Sequence, residues 1–204
     1  PQESEIWADL PPVDFDYDYS RDGVMRSVED SLERLKLDRI DILLNHVPDE
    51  YLSQSKEAYD TLIDLRSQGV VKAIGVGMDS PEGPLEIIQE YDIDCILLAG
   101  RYTLLDQSGL VSLLPMCERK GISVILGGPY SSGILASDLS PGAKFFYTDA
   151  PPDILAKAVR IKSVCDRHGV PLKAAALQFG LAHPAVASTI PGARSIDEVQ
   201  ENSE

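Results

Sequence analysis

Of the three histidines in this 204-residue chain, only His46 stands where an imidazole can do chemistry. It follows the apolar run Ile42, Leu43, Leu44 and then Asn45 in DRIDILLNHVPDE, residues 38–50. A buried strand that opens into polar residues at its C-terminal end is how parallel α/β proteins present a site. An imidazole there can donate a hydrogen bond to a carbonyl or alcohol oxygen near neutral pH. The plainer alternative is a histidine satisfied by loop backbone. His168 ends a helical pattern beside Gly169, where a cation suits the helix dipole, and His183 precedes Pro184 in a turn. Both read as structural. The three histidines lack metal-ligand spacing, so no metal is expected.

The other informative polar residues also follow apolar runs. They are Gly77-Met78-Asp79-Ser80, Gly100-Arg101-Tyr102, Gly127-Gly128-Pro129-Tyr130 and Gly192-Ala193-Arg194. Clustering of such exits on one rim is what a barrel active site requires, because the βα loops converge there. GVGMDS is only a partial GxGxxG and a weak dinucleotide signal. PYSSG lacks the Gly-x-Ser-x-Gly of a nucleophile elbow. The IPGARS turn before a helix offers backbone N–H groups to a phosphate, with a plain helix cap as the equal alternative.

These exits need strands to carry them and helices to cover the strands. Apolar spacing predicts strands over 40–44, 73–76, 95–99, 122–126 and 186–190. Helices are predicted from Ser20 to about residue 35, then over 53–68, 82–91, 110–120, 153–168 and 173–182, with a last one opening at Ser195. Residues 1–19 read as an irregular acidic and aromatic lead-in. Alternating strands and helices, each strand almost wholly apolar, make an α/β fold with a parallel sheet. The sheet is either open and doubly wound or part of a (β/α)₈ barrel. A full barrel usually takes about 250 residues and eight strands, more than this chain supplies. No linker divides residues 1–204, so a single domain is expected.

Composition narrows the partners. A net charge of −15 argues against nucleic acid and against an anionic membrane. Cys95, Cys117 and Cys165 are odd in number and widely spaced, which suggests reduced thiols in a cytoplasmic protein. No apolar run approaches the roughly 20 residues of a membrane helix. Both ends of the chain read as cuts within a longer pattern.

Taken together, five segments resemble the aldo-keto reductases in order and spacing. They are DRIDILLNHVPDE, VVKAIGVGMDS, ILLAGRYTLLDQ, GISVILGGPYSSGIL and STIPGARSIDEVQEN, and the likeness runs from about Ser20 to Glu204. It is strongest to the branch of sugar and pyridoxal dehydrogenases. The resemblance implies a partial (β/α)₈ barrel holding the fourth to eighth strands with their helices, incomplete at both ends. It also implies an oxidoreductase that binds NAD or NADP without a Rossmann fold, its substrate an aldose or a similar small carbinol or aldehyde.

The family uses an Asp, Tyr, Lys and His tetrad. His46 matches the histidine, and the other three fall upstream of Pro1, so the fragment alone is expected to be inactive. The resemblance places Asn45, Arg101 and Tyr102 toward substrate. It places Gly77, Met78 and Asp79, then Gly127, Gly128, Pro129, Tyr130 and Ser132, along the cofactor. Gly192, Arg194, Glu198, Glu201 and Asn202 fall toward its adenosine end. The chain departs from the common pattern in having Asp79 for an Asn, Ala99 for a Gln and Gly127 for a stacking aromatic. Glu198 stands where many NADP users have Arg, which implies NAD over NADP. The alternative is a non-catalytic remnant that binds nucleotide or a partner chain; a weaker one is an unrelated phosphate-binding barrel. An open barrel edge also invites self-association.

Overall fold

The computed structural model describes residues 17–46 and 49–203. Five strands, β1 (Ile42–His46), β2 (Ala73–Met78), β3 (Cys95–Ala99), β4 (Ser123–Gly127) and β7 (Val186–Ile190), form one sheet in the order β1-β2-β3-β4-β7. Every pairing in it is parallel. A separate hairpin, β5 (Lys144–Phe145) and β6 (Thr148–Asp149), rises between β4 and β7. The helices are α1 (Arg21–Leu35), α2 (Lys56–Ser67), α3 (Glu82–Glu90), α4 (Leu113–Lys120), α5 (Pro152–Arg167), α6 (Leu172–Phe179) and α7 (Ile196–Ser203).

Register puts the strand ends level. His46 lies opposite Gly77, Met78 opposite Leu98, Ala99 opposite Gly127, and Gly127 opposite Ile190. Along each strand, side chains alternate between two faces. Ile74, Val76, Ile96, Leu98, Val124 and Leu126 form one face, and all are buried in a core with Tyr59, Leu62, Ile87, Ile88, Leu113 and Leu114 from α2, α3 and α4. A second cluster packs α5 and α6 against Leu105, Ile134 and Leu135. Gly75 is required by a close approach, since a Cβ there would come within 1.9 Å of the Cys95 backbone carbonyl oxygen.

The elements differ from the sequence expectation in places with physical causes. β1 runs two residues later than predicted, because Val76 and Gly77 of β2 give Asn45 and His46 ladder partners. The helix expected from residue 110 begins at Leu113, after a short 3₁₀ turn at Ser108–Leu110. That start leaves Pro115 in the first turn, where its missing N–H costs nothing. The helix expected over 173–182 stops at Phe179 and tightens into a 3₁₀ turn. The β5–β6 hairpin was not expected. The lead-in predicted over 1–19 lies mostly outside the described residues.

Candidate active site at the level rim

His46 is the last residue of β1 and is exposed at the rim. Its Nδ1 lies 2.9 Å from the Gly77 carbonyl oxygen. A carbonyl only accepts, so Nδ1 carries the hydrogen and donates. In the neutral ring Nε2 is then the acceptor, and in the charged ring it also donates. The ring is thus fixed by the neighbouring strand, with one nitrogen left for chemistry. The Tyr19 hydroxyl donates to the His46 backbone oxygen at 3.4 Å. Tyr17 and Tyr19 pack on Tyr51, with ring centroids 4.8 and 6.3 Å away. This tyrosine group beside His46 had no signal in sequence spacing.

Beside β1, the ends of β2, β3 and β4 enclose a cavity of about 150 Å³. Asp79, Ala99, Gly100 and Gly128 form its strand side, and Ser131, Ser132, Phe146 and Tyr147 close it from the loop after β4. Gly100 N–H donates to the Gly127 carbonyl at 3.0 Å, which holds the two strand exits together. Ser131 donates to the Thr103 hydroxyl at 3.1 Å, and Tyr147 N–H donates to Ser132 Oγ at 3.2 Å. Arg101 Nε donates to the Asp79 carbonyl, and its guanidinium lies 4.5 Å from the centroid of the Phe146 ring. The same guanidinium pairs with Asp106 at 3.3 Å. Burial pushes the Asp106 carboxyl up, but hydrogen bonds from Ser108 and Arg101 outweigh it and hold the pKa below the usual value. Ser131, Ser132, Phe146 and Tyr147 all have positive φ, at 49°, 61°, 46° and 65°. Non-glycine residues in that region carry strain, and strain of this kind gathers at functional sites.

The third part of the rim is the turn from β7 into α7. Ser195 Oγ accepts from Glu198 N–H at 3.2 Å, capping the helix. Glu198 Oε2 accepts from the Arg194 N–H at 2.5 Å, and Oε1 lies 3.7 Å from the Arg194 guanidinium. The carboxylate thus stands beside Arg194, whose side chain is 93% exposed. Asn202 links back to the loop after β4, accepting from the Tyr130 hydroxyl at 2.7 Å, and its Nδ2 donates to the Gly192 carbonyl at 3.4 Å. Glu201 pairs with Lys173 at 2.7 Å. Burial raises the Tyr130 hydroxyl above its ordinary range.

The structure brings together Asp79, Gly128 and Ser132 at the cavity, with Gly127 beside them in β4, and Arg194, Glu198 and Asn202 at α7. Three expected side chains point elsewhere. Asn45 alternates with His46, so its carboxamide lies against the Tyr59 hydroxyl under α2. Met78 shares the helix face and reaches α3, its Cε 2.3 Å from where a Gly83 Cβ would stand. Tyr102 is buried against Phe179 and His183, at centroid distances of 5.0 and 5.9 Å. Met78 and Tyr102 are core residues and Asn45 is half-buried, and only the backbone of Met78 remains near the rim. Pro129 is buried as well. Phe146 and Tyr147 were missed, because KFFYTD carries no turn signal.

The cavity has a methyl at Ala99 and no side chain at Gly100 or Gly128 on its strand side, and the Phe146 ring packs directly against Gly100. No group of His, Cys, Asp and Glu among the described residues could hold a metal ion. No helix among them is long and apolar enough to cross a membrane. All three thiols are free; Cys95 and Cys117 are buried, and burial pushes the Cys117 thiol up to about 11.

Comparison with known proteins gives the site its context. The family model described as Aldo/keto reductase family matches residues 12–204. The chain is 38% identical over 197 residues to pyridoxal 4-dehydrogenase of Microbacterium luteolum, covering 91% of this chain and 58% of that protein. It is 35% identical over 193 residues to D-threo-aldose 1-dehydrogenase of a Pseudomonas species, covering 93% and 58%. Among solved structures, an aldo-keto reductase from Bacillus halodurans in its holo form superposes with a TM-score of 0.71 at 28% identity, covering 91% and 62%. The chain thus spans less than two thirds of the length of these relatives.

Proposed function

The chain belongs to the aldo/keto reductase family, and on that premise we propose that the whole protein is a nicotinamide-dependent dehydrogenase. Its substrate is the C1 carbinol of an aldose, or a small alcohol or aldehyde such as pyridoxal or its alcohol. One observation carries the reading: a histidine locked by Nδ1 to the next strand shares a single level rim with a cavity of about 150 Å³. When bound, the nicotinamide supplies the hydride acceptor or donor. Ala99, Gly100 and Gly128 would line the seat of that group, and Arg101 fixes the Asp79 exit and the Phe146 ring beside it. His46 holds the reacting oxygen through Nε2, accepting from an alcohol when neutral and donating to a carbonyl when charged. We assign the family's Asp, Tyr and Lys to the part of the relatives that this chain does not span, and so expect the fragment alone to be inactive.

NAD is the expected cofactor, with NADP as the alternative. Glu198 places a carboxylate at this turn, where it would repel a ribose 2′-phosphate and could accept from a 2′-hydroxyl. The test is NAD- and NADP-dependent oxidation of aldoses, and pyridoxal turnover, by the whole encoded protein. Turnover of one of these with NAD favoured in kcat/KM supports the reading; no turnover with either cofactor contradicts it.

A second reading draws on the sheet edges. Ile42 on β1 and Ile190 on β7 are 47% and 50% exposed at the two ends of the sheet. A chain with such edges can serve as a nucleotide-binding or partner-binding remnant that self-associates through them. Nucleotide binding without turnover, with concentration-dependent assembly, is its signature.

A further inference from the structure

We infer that Asp49 is a positioning residue for His46, its carboxylate forming a second cross-link between the exits of β1 and β2 that sets how the imidazole stands against the Asp79 exit. It acts through His46 and touches neither reactant, and the inference rests on the dehydrogenase reading above.

Spacing is the first argument. His46 Nδ1 donates to the Gly77 carbonyl at 2.9 Å, and His46 and Gly77 are also the last ladder pair of the two strands. Three residues further along each chain, Ser80 Oγ donates to Asp49 Oδ1 at 2.8 Å. The two links bracket Asp79, which lines the cavity and whose carbonyl accepts from Arg101 Nε. Beyond the last backbone pair, one link leaves a pivot, whereas a second fixes an angle.

The second argument is what the carboxylate rests on. α3 has Pro81 at its N-cap and no side-chain cap hydrogen bond. Its first turn therefore offers unpaired N–H groups and the positive end of the helix dipole. Asp49 Oδ1 lies so close to that turn that a Cβ on Gly83 would come within 2.8 Å of it. An exposed hydrogen bond is readily exchanged for water, but an anion packed on a helix start has a fixed seat.

The third argument is the far end of the same segment. Asp49 opens the 3₁₀ turn Asp49–Gln54. Leu52 in that turn packs against the core, and its carbonyl accepts from the Ser55 N–H at 3.2 Å and hydroxyl at 2.8 Å. A segment held at Leu52 and at Asp49 passes its position back to His46, three residues away. Displacement of a reacting group's partner by about 1 Å can cost about 100-fold in rate.

The test is steady-state oxidation, by the whole encoded protein with NAD, of the aldose or pyridoxal that the wild type turns over. NAD dissociation constants and melting temperatures are measured alongside. Asp49→Ala should lower kcat about tenfold, with the substrate KM and the NAD dissociation constant within about twofold of wild type. Asp49→Asn, whose Oδ1 still accepts from Ser80, should return kcat to within about threefold. Ser80→Ala should share the loss. In a His46→Ala background the Asp49→Ala step should cost less than about twofold, because the group it positions is gone. An unchanged kcat in Asp49→Ala, a full loss in Asp49→Asn, or the same step without the imidazole overturns the positioning role and leaves the dehydrogenase reading standing. If Asp49→Ala fails to fold, Ser80→Ala decides, and a wild-type kcat there overturns the role. A wild-type protein without NAD-dependent turnover overturns both.

Discussion

One nitrogen of one side chain carries most of the proposed chemistry. Because Nδ1 of His46 donates to Gly77, the role of Nε2 follows from the ring's charge and not from rotation of the side chain. The position of His46 was legible, since an apolar run ending in Asn-His at a strand exit has few other uses. The role of Asn45 was not. The extra strand length puts Asn45 and His46 on opposite faces, a parity that periodicity with blurred boundaries cannot fix. Two predictions belong to this scale. Glu198→Gln should free Arg194 and raise the NADP-to-NAD ratio of kcat/KM about tenfold; an unchanged ratio would remove Glu198 from cofactor choice. Asp106, whose pKa is lowered in the fold, stabilises it above the ordinary carboxylate pKa of about 4, and this contribution is lost as pH falls through the lowered value. Asp106→Asn should therefore melt below wild type at neutral pH, with the difference closing in acid.

Elements were read well where their punctuation was local. Ser20 caps α1 by accepting from Gly23 N–H, and Gly121 ends α4 at φ 71°, both as the residue types suggest. The end of α1 was also placed well, at Leu35, although its punctuation is unfavourable. The turn after α1 places Lys36 at φ 55°, a left-handed position that suits glycine. Lys36→Gly should stabilise the fold by about 1 kcal/mol, seen as a higher melting temperature; a loss would mean that the lysine side chain has a role. Gly75 is the opposite case. Gly75→Ala drives a Cβ into the Cys95 carbonyl and should cost about 3 kcal/mol or prevent folding, since backbone cannot step aside within a parallel ladder. The β5–β6 hairpin stayed hidden for the reason that makes it interesting, a turn built from Phe and Tyr.

At the scale of the molecule, parallel strands and a polar exit at every strand end were visible from spacing, whereas their sequential order followed only from the family resemblance, since an open doubly wound sheet competed. What distances could not reveal was which exits meet. β2, β3 and β4 enclose the cavity, β1 lends the histidine from beside it, and β7 with α7 forms a separate patch tied back through Tyr130 and Asn202. The sheet's two edges stay open among the described residues, and the relatives are longer than this chain. Activity is therefore a property to measure on the whole encoded protein. The most direct measurement compares wild type with His46→Ala for NAD-dependent oxidation of an aldose, alongside the NAD dissociation constant of each. The account predicts a fall in kcat of about 100-fold with NAD binding nearly unchanged. Full activity in the variant would contradict it.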